Sequence, residues 1–219
     1  MKAVVVINFK VYPESVGLQG IRLASRLASI RSEEYEVMLA PSLLVLSSLK
    51  KLKMPLFAQS AENIALGAHT GGIALEELKL IGVQGVMLNH AERRLPFSSV
   101  RELRAKAEVL GLQVLICAAS LREVRRLARL KPEYIAYEPK ELIGGKVSVA
   151  QAEPRIIIKA VRYVKKMSPS TRLLCGAGIH SRKDVEKALS LGAEGVLLSS
   201  AVVKAKNPQK FLGELLSAH

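Results

Sequence analysis

The sequence predicts a closed (β/α)8 barrel that spans residues 1–219 as one domain. Three observations predict it: eight short, almost unbroken apolar runs, helical spacing between them, and a recurrent glycine phrase that ends the helices. The runs cover residues 3–8, 35–40, 56–59, 86–89, 114–118, 134–138, 173–176 and 196–199. Their apolar residues are continuous, not alternating, as expected of parallel strands covered on both faces. Between them, Val124, Leu127 and Ala128 share one helical face. So do Ile157, Ala160, Val161 and Val164, and again Val185, Ala188 and Leu189. Helix ends are marked by Ile81-Gly82-Val83, Leu110-Gly111-Leu112 and Leu191-Gly192-Ala193, where glycine takes the left-handed turn that stops a helix. Helix starts are marked by Ser181 and by Ser120, the latter with Glu123 three residues on in a capping-box pattern. An open doubly wound sheet shares this periodicity, but its nucleotide loop should follow the first strand. Asn8-Phe9-Lys10-Val11-Tyr12 contains no glycine-rich loop. A barrel is the prediction.

Composition narrows the function. With 219 residues and 49% apolar content, the chain has enough material for a full-sized core. Trp is absent and aromatics are 4%, so that core must be aliphatic. Cys117 and Cys175 each lie inside an apolar run and read as buried thiols, not a disulfide. No apolar stretch approaches the roughly 18 residues of a membrane span, and no basic leader precedes the first run, so a soluble cytoplasmic protein is expected. The net charge of +14 would suit a nucleic-acid binder. Yet the cations, such as Arg122, Arg125, Arg126 and Arg129, are spread along helices without an aromatic stacking pattern. A solvated basic surface is expected, with no nucleic-acid partner and no membrane.

In a barrel, chemistry collects at the C-terminal ends of the strands. Reading each run to its end gives Asn8 and Lys10, Asn89-His90 followed by Ala91-Glu92, Tyr137-Glu138, Gly176-Ala177-Gly178, and Ser199-Ser200. Glu138, held between a strand and Pro139, becomes a competent base if a low-dielectric pocket raises its pKa. It fits a solvated carboxylate at a loop start equally well. His90 suits a neutral donor to a substrate oxygen, its other nitrogen accepting a backbone N–H, or else a core-edge histidine satisfied by the backbone. Lys10 is a point charge for phosphate or for a developing oxyanion, with Glu92 as the partner that fixes its direction, or else a plain surface lysine. The turns at Gly144-Gly145, Gly176–178 and Ser199-Ser200 would offer backbone N–H groups to a phosphate. His69, His180 and His219 pair into no metal motif, so no metal site is expected. An epimerase acting on a pentose phosphate would need opposed acids or metal ligands at the strand ends, and these are missing from that set.

Asn8-Phe9-Lys10, Leu88-Asn89-His90-Ala91-Glu92-Arg93-Arg94 and Ala136-Tyr137-Glu138-Pro139 together resemble the signatures of the triosephosphate isomerase family, in that order. Gln59, Gly67-Ala68-His69-Thr70-Gly71 and Cys175-Gly176-Ala177-Gly178-Ile179 fit as well. The resemblance covers the whole chain and is to the compact archaeal form. It implies a TIM barrel that interconverts D-glyceraldehyde 3-phosphate and dihydroxyacetone phosphate without a cofactor. It implies Glu138 as base, His90 as electrophile, Lys10 as the cation offsetting substrate charge, and Glu92 as the carboxylate orienting that lysine. Asn8 and Phe9 stand as neighbouring contacts. Ile143 and Gly144 fall in a mobile lid, and Gly178, Ser199 and Ser200 match phosphate-contacting turns. Thr70 matches a threonine that enters a neighbouring subunit's site, implying a homo-oligomer, dimer or tetramer. Ala91 and Gly178 replace family serines, Gly145-Lys146 alters the lid's distal hinge, and Ser199-Ser200-Ala201 replaces a glycine-containing turn.

Overall fold

The computed structural model describes residues 2–139, 142 and 148–217. Its strands are β1 (Ala3–Asn8), β2 (Tyr35–Ala40), β3 (Phe57–Ala58), β4 (Gly85–Leu88), β5 (Gln113–Ala118), β6 (Tyr134–Tyr137), β7 (Arg172–Cys175) and β8 (Gly195–Leu198). They form one parallel sheet in the order β2-β1-β8-β7-β6-β5-β4-β3. A bridge between Leu39 and Leu56, with the Leu39 N–H donating to Pro55 O at 3.0 Å, joins the two ends of the sheet into a barrel. The helices are α1 (Gly17–Leu27), α2 (Leu43–Leu46), α3 (Leu75–Ile81), α4 (Phe97–Val109), α5 (Leu121–Ala128), α6 (Val149–Ala152), α7 (Pro154–Met167), α8 (Arg182–Ser190), α9 (Ser200–Val203) and α10 (Pro208–Leu216).

The continuous apolar texture of the runs has a direct cause. Successive strand side chains point to opposite faces, and here both faces are dry. Val5, Ile7, Ile116, Ile135 and Val196 pack outward against helices, whereas Val4, Val6, Leu115, Ala136 and Leu197 fill the barrel interior. Each fully buried Val, Leu or Ile contributes roughly 1.5–3 kcal/mol, so the aliphatic core replaces the missing aromatics. Both cysteines are free and buried. Cys117 lies in the interior cluster, and Cys175 in the outer one.

The expected helix signals act as written, with one variation. Gly82, Gly111 and Gly192 take φ of 87°, 64° and 92° at the ends of α3, α4 and α8. Ser181 and Asp184 form a complete capping box on α8. On α5 the Ser120 hydroxyl accepts the Glu123 N–H at 3.2 Å, but the Glu123 carboxylate reaches past Ser120 to the Ala119 N–H at 2.8 Å and also pairs with Arg94. Strands β3, β4, β6, β7 and β8 end one residue before their runs do. The third is shorter than expected, because the ladder there covers only Phe57 and Ala58.

Candidate active site

Strand parity assembles the site. Val4 and Val6, Met87, Leu115, Ala136, Leu174 and Leu197 all point inward. Two residues on from each strand's last such position stand Asn8, Asn89, Cys117, Glu138, Gly176 and Ser199. Period-2 alternation therefore aims all six toward the axis at the barrel's C-terminal mouth.

Lys10 is set by its neighbours. The Lys10 N–H donates to Asn8 Oδ1 at 3.0 Å, and Gln59 Nε2 donates to Lys10 O at 3.1 Å and to Ala40 O at 2.9 Å. These bonds hold Lys10 at φ 49°, a left-handed conformation uncommon outside glycine. From there Nζ meets Glu92 Oε1 at 2.6 Å. Asn89 is also left-handed, at φ 61°. Its Nδ2 donates to Cys117 O at 2.9 Å and its Oδ1 accepts the Leu95 N–H at 3.1 Å, so the loop bearing His90 is tied to β5.

His90 Nδ1 accepts the Glu92 N–H at 3.1 Å. Burial, opposed by Glu92 and aided by Lys10, holds the imidazole pKa below its ordinary value. A neutral ring whose Nδ1 accepts must carry its proton on Nε2. That nitrogen faces Glu138 Oε2 at 3.8 Å, beyond hydrogen-bond range.

Glu138 is buried, and its Oε2 has no hydrogen-bond partner among the described residues. Burial raises its pKa to about 7, against smaller lowering effects from the Cys117 hydrogen bond and from Lys10. The thiol is itself held well above its usual range, first by burial and then by the Glu138 charge, so it stays protonated as the donor. The carboxylate lies against Gly176: a Cβ there would stand 2.5 Å from Glu138 Cγ and 2.9 Å from Cδ. Glycine at 176 makes room for the base. Its N–H, expected to face a phosphate, instead donates to Tyr137 O at 3.0 Å within the ladder.

The cleft between these groups is further lined by Tyr12, Gly178, Ile179, Ser199 and Ser200. Gly178 takes φ 64°. The Ser199 hydroxyl oxygen is buried without a hydrogen-bond partner among the described residues. No group of three or more His, Cys, Asp or Glu side chains suited to a metal ion occurs among the described residues. No helix among them is long and apolar enough to cross a membrane.

The family model described as triosephosphate isomerase matches residues 3–217. The triosephosphate isomerase of Methanocaldococcus jannaschii is 40% identical over 215 residues, covering 97% of this chain and 98% of that one. Those of Thermoplasma volcanium and Methanothermus fervidus are 39% and 36% identical, covering 97% and 99% of this chain and 98% of each relative. The chain belongs to the triosephosphate isomerase family.

Of the residues that the triosephosphate isomerase resemblance singles out, Asn8, Lys10, His90, Glu92, Glu138, Gly178, Ser199 and Ser200 stand in or beside this mouth. Phe9 does not present its ring there. The ring is fully buried in the outer core, its N–H donates to Ala40 O at 2.9 Å, and its carbonyl accepts from Ser15 Oγ at 2.7 Å. Thr70 is exposed on a loop and does not line this cleft, although its neighbour Gly71 lines the adjoining one with Lys10 and His90. Ile143, Gly144 and the Gly145-Lys146 pair lie outside the described residues. Sequence reasoning did not single out Tyr12, which lines the cleft, or Cys117 beside Glu138. It named Asn89 and Gly176 without the roles they take, a loop tie and clearance for the base. Inward parity from the last apolar residue of each strand would have flagged Cys117, Asn89 and Gly176.

Proposed function

We propose that Glu138 and His90 carry the family's interconversion of D-glyceraldehyde 3-phosphate and dihydroxyacetone phosphate, with Lys10 and the turns at Gly178, Ser199 and Ser200 holding the substrate. The reaction itself follows from family membership; the assignment of roles is the proposal. Glu138 removes a proton from the carbon beside the carbonyl and returns it to the neighbouring carbon, while the hydroxyl proton crosses to the former carbonyl oxygen. Negative charge grows on the oxygen as the enediolate forms. His90 Nε2–H and Lys10 Nζ stabilise that oxygen in a site where low dielectric strengthens such contacts. The family resemblance adds Ile143 and Gly144 to the proposed phosphate contacts. The carboxyl group keeps the proton within one site, so no cofactor is needed.

The observation that carries this reading is the accepting Nδ1 of His90, which leaves Nε2–H turned toward an unpartnered carboxylate oxygen across 3.8 Å. That span is too long for a direct bond, and a substrate seated beside the pair can meet both groups at once. Nitrogen NMR of the labelled imidazole should therefore report the Nε2–H tautomer, titrating below a free histidine. A midpoint at or above the free value removes His90 from the role.

We also propose a homo-oligomer completed by Thr70. Val11, Val16 and Leu44 are exposed around an apolar cleft of about 500 Å³ that adjoins Lys10 and His90, and exposed apolar surface of this kind marks interaction sites. The loop bearing Thr70 from a second copy is the proposed occupant. Sedimentation should find no active monomer, and a fully active monomer overturns the claim.

A further inference from the structure

Asp184 is buried, and its carboxylate does more than cap α8. Its Oδ2 accepts the His180 N–H at 3.1 Å, the Ser181 N–H at 3.0 Å and the Ser181 hydroxyl at 2.8 Å. The Ser181 and Asp184 bonds are local and belong to the capping box. The fourth is not. Gln151 Nε2, 33 residues away on α6, donates to Asp184 Oδ1 at 2.7 Å. A second tie runs in parallel, since the Val149 N–H at the start of α6 donates to Ala177 O at 3.1 Å. The two ties bracket Gly178: one fixes Ala177 on its N-terminal side, and the other fixes the carboxylate holding His180 on its C-terminal side.

We propose that the Gln151–Asp184 bridge is a positioning device for the phosphate-facing turn at Gly178. This rests on the reading of Gly178 as a substrate contact. Gly178 sits at φ 64° with no side chain to anchor it, so its N–H direction depends on its flanks. Hydrogen bonds to a buried carboxylate are the stronger kind, and α6 is in turn held by Ser148, whose hydroxyl accepts the Gln151 N–H at 3.3 Å. Without the bridge, the Val149 tie remains, and the far flank, still held to the start of α8 through Asp184, loses this link to α6. The amide then meets the phosphate in a spread of directions, weakening ground state and transition state alike. That pattern raises KM without lowering kcat.

Gln151 is exposed, so Gln151→Met should fold with the capping box intact. In steady-state kinetics its KM for glyceraldehyde 3-phosphate, and the Ki for competitive inhibition by inorganic phosphate, should rise together by about five- to tenfold, with kcat within about twofold. Gln151→Lys retains a donor for the carboxylate and should restore both constants to near the parent values. Unchanged KM and Ki in Gln151→Met, or a fall in kcat alone, overturns the proposal. Lys10→Met separates the two levels of inference. If it too leaves phosphate inhibition unchanged, the phosphate site itself is misplaced; if it abolishes inhibition while Gln151→Met does nothing, only the bridge fails.

Discussion

Glu138→Asp should lower kcat by at least about a hundredfold while leaving the protein folded. The substitution keeps the charge and withdraws the carboxylate by one methylene, and displacement of a reacting group by about an ångström costs on that order. The surroundings offer no compensating shift. Glu138 Cγ is seated against Gly176, its N–H is fixed to Ala118 O at 2.8 Å, and Pro139 follows in the chain. The shorter side chain thus recedes toward β6 and leaves His90 Nε2 farther than the present 3.8 Å. Near-parent turnover in Glu138→Asp refutes the base assignment. The pH dependence gives a second test. Since burial raises the carboxyl to about 7, log kcat/KM should rise with pH up to about 7 and then level, once the substrate phosphate's own ionisation near 6 is allowed for. The same shift has a stability sign. A carboxyl raised from 4.5 to about 7 by folding stabilises the fold when protonated, and that contribution is lost as pH rises through about 7. On the order of 3 kcal/mol is involved, so Glu138→Gln, neutral at every pH, should unfold at higher temperature than the parent above pH 7. A lower unfolding temperature there contradicts the buried-anion account.

The barrel was legible because its strands are dry on both faces, a property each run displays by itself. Helix stops were legible for a similar reason, as Gly82, Gly111 and Gly192 need only their own backbone to act. The residues that do chemistry were partly legible, since Lys10, His90 and Glu138 are polar groups at the ends of apolar runs. What escaped was lateral. Cys117 reaches Glu138 because β5 pairs with β6 in the register Cys117 to Ala136, and Gly176 makes room for Glu138 because β6 pairs with β7 in the register Tyr137 to Cys175. A single chain read linearly holds no register between strands. Phe9 shows the converse. It is adjacent to two site residues in sequence, but odd parity on β1 sends its ring into the helix layer. The capping-box pattern assigns the Glu123 carboxylate to Ser120; the fold offers it Arg94 from the loop after β4, and the charged partner draws it away from Ser120.

Lys10→Met should reduce kcat/KM by about a thousandfold. Removing one donor aimed at developing negative charge costs about 10²–10³, and Lys10 is proposed to meet both the substrate phosphate and the reacting oxygen. Glu92 adds to the loss. Its Oε1 lies 2.6 Å from Lys10 Nζ, and without that partner its charge repels an anionic substrate. The side chain of Glu92 is 57% exposed, so solvent screens much of that repulsion. Adding Glu92→Gln should therefore recover only a few-fold. Unchanged kinetics in Lys10→Met takes the lysine out of the site altogether. Stability provides an independent reading of the same position. Lys10 holds a left-handed backbone that costs a non-glycine residue about 1–2 kcal/mol, imposed by Asn8 and Gln59. Lys10→Gly removes the ammonium and relieves the strain together, so it should be as inactive as Lys10→Met yet unfold at a higher temperature. If the glycine variant unfolds first, the left-handed turn is not strained, and the fold does not sacrifice stability at residue 10 to aim a cation into the mouth.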